Sequence, residues 1–140
     1  MQKFPPLSLY VHIPWCVQKC PYCDFNSHAQ KGAIPEQEYV QHLIADLEAD
    51  LEKYQASIQH RSLHSIFIGG GTPSLFSAES IKLLLAEIQR RIPFSENIEI
   101  TMEANPGTVE AERFKGYVDA GVTRISMGIQ SFNDDKLQRL

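Results

Sequence analysis

The chain has 140 residues, a formal net charge of −4, 43% apolar residues and 21% charged residues, the composition of an ordinary globular domain. No apolar run approaches the length of about 20 residues that spans a bilayer, the first residues show no signal peptide, and the lysines and arginines form no basic stripe of the kind nucleic acid selects. A cytoplasmic protein with no transmembrane segment and no nucleic-acid partner is therefore expected.

Ser8 to Ile13 is expected as the first strand, since Leu9, Val11 and Ile13 alternate with Ser8, Tyr10 and His12. A long polar loop follows, Pro14 to Ile34, and loops beyond about 12–15 residues are usually functional or disordered. The first helix is expected from Pro35 to Tyr54, with Glu36 and Glu38 at its positive end and Val40, Leu43, Ile44, Leu47 and Leu51 on one stripe. Gln55 to Leu63 reads as a loop. Ser65 to Ile68 is the second strand, ending in Gly69-Gly-Gly-Thr-Pro-Ser74. Ser77 is placed to cap a second helix that buries Ile81, Leu84, Leu85, Ile88 and Ile92 and stops at Pro93.

Asn97 to Glu103 is the third strand, and Asn105-Pro-Gly107 is a turn. Thr108 is expected to cap a helix from Val109 to Ala120 that Gly121 closes. Arg124 to Ile129 is the fourth strand, after which Asn133 caps a helix running to the last residue. The order βαβαβαβα calls for a parallel sheet with right-handed crossovers. Ligand sites in such α/β folds sit at the carboxyl ends of the strands.

Four features fall at those ends. Cys16, Cys20 and Cys23 follow strand one at the spacing C-x3-C-x2-C and are the only cysteines. An odd count on one short loop argues against a disulfide framework. Thiolates are the usual ligands of iron–sulfur clusters, and a four-iron cluster normally takes four, so three would leave one iron open. Zinc is the alternative, with His12 or His28 as a fourth ligand. Gly69-Gly-Gly-Thr-Pro lacks the lysine and spacing of a phosphate loop, but its glycines allow close backbone approach to a ligand. Glu103 ends strand three and Gln130 ends strand four. The alternative readings of these last three are a tight turn, an exposed strand-end carboxylate and a helix-cap neighbour.

C-x3-C followed by Tyr22-Cys23 resembles the signature of the radical S-adenosylmethionine (SAM) superfamily. The longer string Leu9-Tyr-Val-His-Ile-Pro-Trp-Cys16 resembles the branch that holds the oxygen-independent coproporphyrinogen III oxidases and the HemW-type heme chaperones. The resemblance continues in Gly-Gly-Gly-Thr-Pro, in Glu-Ile-Thr-Met-Glu-Ala-Asn-Pro and in Ser126-Met-Gly-Ile-Gln-Ser-Phe. It implies an α/β fold, with residues 1–140 forming the N-terminal part of a partial (β/α)6-type, TIM-like barrel with parallel strands. Such a barrel needs on the order of 200 residues or more, so the remainder of the barrel and a C-terminal domain are expected outside this chain.

The resemblance also implies a four-iron, four-sulfur (4Fe-4S) cluster on Cys16, Cys20 and Cys23. Tyr10, Tyr22, Gly70, Gly71, Thr72, Glu103 and Gln130 would contact SAM. It implies an electron donor for the cluster and reductive cleavage of SAM to a 5′-deoxyadenosyl radical. Within the branch, the oxidases carry a fourth cysteine two residues after the third, where this chain has Phe25, and a substantial extension before strand one. Both differences favour the chaperone type, with heme as cargo for heme-acceptor proteins and no coproporphyrinogen oxidase activity. The oxidase, or another radical SAM enzyme of porphyrin metabolism, is the alternative, so whether the chain is an enzyme stays open. His28 is a weak candidate for a heme ligand.

Overall fold

A computed structural model describes residues 4–105 and 111–139. Four strands form one parallel sheet: β1 (Leu7–Ile13), β4 (Leu63–Gly70), β5 (Phe94–Ala104) and β6 (Arg124–Met127), hydrogen-bonded in that order. Between them lie α1 (Glu36–Lys53) with a short α2 (Gln55–Ile58), α3 (Ala78–Arg91) and α4 (Ala111–Ala120), and α5 (Asp134–Leu137) follows. Consecutive main-sheet strands are neighbours, with no reversal of order. That is the winding of a barrel rather than of a doubly wound sheet, whose order reverses at a switch point. The parallel α/β fold expected from the sequence is thus observed.

The sheet has two unlike faces. Val11 and Ile13 of β1, Ile66 and Ile68 of β4, and Ile100 and Met102 of β5 are buried in one apolar cluster. Val40, Ile44 and Leu47 of α1 and Ile81, Leu84, Leu85 and Ile88 of α3 complete it. Each such side chain contributes about 1.5–3 kcal/mol on burial. The helices form a single layer, α1 against α3 and α3 against α4. Alternation sends the other residues to the opposite face, where the register aligns Tyr10, Phe67, Thr101 and Arg124 in one row. Tyr10 and Phe67 are exposed there and stack at 6.2 Å.

The helix ends follow their local chemistry. The Ser77 side chain accepts from the Ser80 amide and Asn133 from the Lys136 amide. Gly121 has φ +117, and α4 ends there. The expected cap Thr108 and the Pro106–Gly107 turn lie outside the described residues. Several segments differ from expectation. The fourth strand stops at Met127 rather than Ile129, so Gln130 follows it instead of ending it, and α5 covers only Asp134–Leu137. The second and third strands are longer, because main-sheet pairing carries past the apolar core. Gln55–Ile58, expected as loop, makes a further helical turn. The cysteine loop contains two short strands, β2 (Trp15–Cys16) and β3 (His28–Ala29), paired in parallel. A two-residue strand has no periodicity to read.

Candidate functional site

The carboxyl ends of β4, β5 and β6, together with the cysteine loop that follows β1, open on one cavity of about 760 Å³. Cys16, Cys20, Cys23 and Tyr22 line it from the cysteine loop, Gly70, Gly71 and Thr72 from the end of β4, Glu103 from β5 and Gln130 from the segment after β6. Nine of the ten residues singled out in the sequence therefore share one concavity. Tyr10 is the exception and does not line it. Its hydroxyl bonds His12 Nδ1 at 2.8 Å instead. Tyr10 still feels the site: its phenol pKa is raised first by partial burial and then by the charge of Glu103.

His12 joins β1 to the cysteine loop. Its Nε2 lies 2.7 Å from the Asn26 carbonyl, which can only accept. Nε2 must then carry the proton, leaving Nδ1 to accept from the Tyr10 hydroxyl. Both ring nitrogens thus have hydrogen-bond partners within the protein. His28 is exposed on β3, and among the described residues it joins no group of metal-binding side chains.

The three thiols are free. They suit a thiolate-ligated centre by donor chemistry and by lining the same cavity. Among the described residues, no three His, Cys, Asp or Glu side chains are grouped closely enough to hold a metal ion as they stand. Cys16 is buried, whereas Cys20 and Cys23 are half-buried. The Cys20 carbonyl accepts from the Cys23 amide in a turn, and Cys23 Sγ lies 3.7 Å from Ser27 Oγ. Hydrogen bonding to Cys20 is the main cause that raises the Tyr22 phenol pKa.

The rest of the lining is held by backbone geometry. Gly70 has φ +115, a conformation strained for any L side chain, and its amide donates to Glu103 Oε2 at 3.1 Å. That bond ties the end of β4 to a carboxylate that lines the cavity. Gln130 adopts φ +66, unusual for a residue of its type. A Cβ at Gly128 would fall 2.6 Å from Gln130 Nε2, so glycine at 128 makes room for the amide.

Sequence reading did not select Asn105, Ser126, Met127 or Gly128, which also line the cavity. Ser126 pairs with Glu103 across the strands, so its position after β6 was the available signal. It also missed an aromatic support. Trp15, Tyr39 and Phe76 meet ring to ring, with Trp15–Tyr39 centroids 4.7 Å apart, and the Tyr39 hydroxyl donates to the His12 carbonyl at 2.6 Å.

Residues 10–140 match the model of the Radical SAM superfamily. The chain is 78% identical over all 140 residues to a protein of Haemophilus influenzae named heme chaperone HemW, and spans 37% of its length. It is 61% identical over 140 residues to the Escherichia coli protein of that name, spanning 36% of it. The Bacillus subtilis protein of that name is 40% identical over 134 residues, 95% of this chain and 34% of the relative. Among solved structures, E. coli coproporphyrinogen III oxidase (HemN), described as a radical SAM enzyme, superposes with a TM-score of 0.76 at 28% identity. That match covers 96% of this chain and 31% of the other. The chain thus spans little more than a third of the relatives it matches.

Proposed function

This chain belongs to the radical SAM superfamily, and on that premise we propose that it is the N-terminal, cluster-bearing part of a heme chaperone. The observation that carries the site is the shared cavity, lined by the three thiols together with Gly70, Thr72, Glu103 and Gln130. Its volume, about 760 Å³, lies within the usual range of small-molecule sites, about 300–1,000 Å³.

Cys16, Cys20 and Cys23 would hold the 4Fe-4S cluster, which when bound supplies an open iron for the amino and carboxylate groups of SAM and an electron to its sulfonium. Glu103, fixed by the Gly70 amide, accepts from ribose hydroxyls or an ammonium. The Gln130 amide both donates and accepts. The backbone of Gly70 and Gly71 offers close approach, and Thr72 and Tyr22 complete the enclosure. Tyr10 acts from behind, through His12 and Asn26. Heme is the cargo, acceptor proteins its destination, an electron donor serves the cluster, and the setting is the cytoplasm. The chaperone reading is supported by 78% identity to a relative of that name and by Phe25, which lines the cavity where the oxidases carry a fourth cysteine.

The second reading, a coproporphyrinogen III oxidase, is favoured by the superposition at TM-score 0.76. Anaerobic reconstitution of the full-length protein separates the two. The expected result is a brown protein with a four-iron cluster, stoichiometric heme uptake, and no protoporphyrinogen from coproporphyrinogen with SAM and reductant. Formation of that product establishes the oxidase. A protein that takes up no iron ends both readings.

A further inference from the structure

The three thiols are not held alike. Strand β2, carrying Cys16, lies between two backbones. On one edge the Ile13 carbonyl accepts from the Gly71 amide and the Trp15 carbonyl from the Thr72 amide, each at 2.7 Å. On the other edge the Pro14 carbonyl accepts from the His28 amide at 2.7 Å and the Cys16 carbonyl from the Gln30 amide at 2.6 Å. Among the described residues, the backbone bonds of residues 17–25 stay within that stretch. Cys16 therefore sits on the central one of three hydrogen-bonded backbone segments, and Cys20 and Cys23 sit on an arm outside them.

These segments close only because position 71 has no side chain. A Cβ there would fall 2.5 Å from the Trp15 carbonyl oxygen and 2.8 Å from both the carbonyl carbon and oxygen of Pro14. All three atoms are backbone, so no rotamer change relieves the clash. Trp15 cannot yield either, since it is packed against Tyr39 and Phe76.

We propose that Gly71 is a positioning residue for Cys16: its missing side chain lets the Gly71–Thr72 backbone close on Pro14–Trp15 and fix Cys16 as the one preset thiol. The Cys20–Cys23 turn then closes onto that fixed sulfur when a cluster binds. Glycine is required at 71 by what packs behind it, whatever ligand lies in front. The part about the cluster rests on the ligand role given to Cys16 above, whereas the part about fixing Cys16 does not.

The test uses the full-length polypeptide, first without cluster under anaerobic conditions. Iodoacetamide labelling resolved by mass spectrometry reads each thiol separately. Cys16 should label more slowly than Cys20 and Cys23. In Gly71→Ala with unchanged far-UV circular dichroism, Cys16 should label about tenfold faster while Cys20 and Cys23 keep their rates, the scale of losing an outer support of a ligand. After reconstitution, the variant should release iron to a chelator about tenfold faster before any SAM is added.

A folded variant with Cys16 labelling at the wild-type rate overturns the proposal. If the wild type takes up no iron yet the labelling pattern holds, the cluster reading fails and the positioning of Cys16 stands. Should Gly71→Ala not fold, amide exchange in the wild type decides. Slow exchange at Gly71 and Thr72 in step with slow Cys16 labelling supports the clamp, and fast exchange there with Cys16 still protected removes it.

Discussion

Glu103 shows how one backbone bond turns a strand-end carboxylate into a directed acceptor. The Gly70 amide donates to Oε2, and in the proposed function the carboxylate meets SAM. Replacing it by glutamine keeps the shape and removes the charge. Glu103→Gln is expected to weaken SAM binding about tenfold, or ~1.4 kcal/mol, with iron loading unchanged, as read by equilibrium dialysis on reconstituted protein. Iron loss in that variant would mean that Glu103 supports the cluster loop instead. Tyr10 teaches a different lesson. Its spacing from His12 put both on one strand face, but spacing does not say that their side chains bond each other. Gln130 was selected by its place in a motif. Its left-handed backbone, which turns the amide back over Gly128, had no signal in the residue type.

At the scale of elements, the glycine turn is anchored from both ends. Its entrance is tied to the β1–β2 backbone, and its exit, Pro73–Leu75, is clamped by α4. The buried Tyr117 hydroxyl shares its proton between the Ser74 carbonyl at 2.8 Å and the Phe76 carbonyl at 2.6 Å, and Arg113 Nη1 donates to the same Ser74 carbonyl at 2.7 Å. Tyr117→Phe removes a buried donor to the Ser74 and Phe76 carbonyls and should destabilise the protein by about 1–2 kcal/mol, read as a lower Tm. Burial raises the Tyr117 pKa above its ordinary value, about 10. A raised folded value means that its stabilising contribution is complete below about pH 10 and is lost as pH climbs from there through the folded value. The Tm of the wild type should therefore fall in that alkaline window more steeply than that of Tyr117→Phe. Helices α1 and α3 were legible because their stripes repeat at helical spacing, as Ile81, Leu84, Leu85 and Ile88 do. β2 and β3 were not, because their pairing depends on distant backbone groups and not on an apolar repeat.

Across the whole molecule, one face of the sheet is sealed by helices and the other carries the row of Tyr10, Phe67, Thr101 and Arg124. The site sits at the end of the sheet and is lined by one buried thiol and by an arm bearing two half-buried ones. Binding that closes such an arm draws on the same free energy that stabilises the fold. Reconstitution is expected to raise Tm by several degrees over the cluster-free protein, and anaerobic chelation to reverse it, both followed by calorimetry. An unchanged Tm would mean that loop closure and folding are uncoupled. The sequence by itself determined the order of the main-sheet strands and the long helices between them, most caps, the buried stripes and the thiol spacing, because these are set by neighbours a few residues apart. Only the tertiary structure decided that Tyr10 turns to His12, that Gly71 closes on Trp15, and that Cys16 differs from Cys20 and Cys23. Each depends on parallel register between segments tens of residues apart, made through backbone groups that every residue type shares.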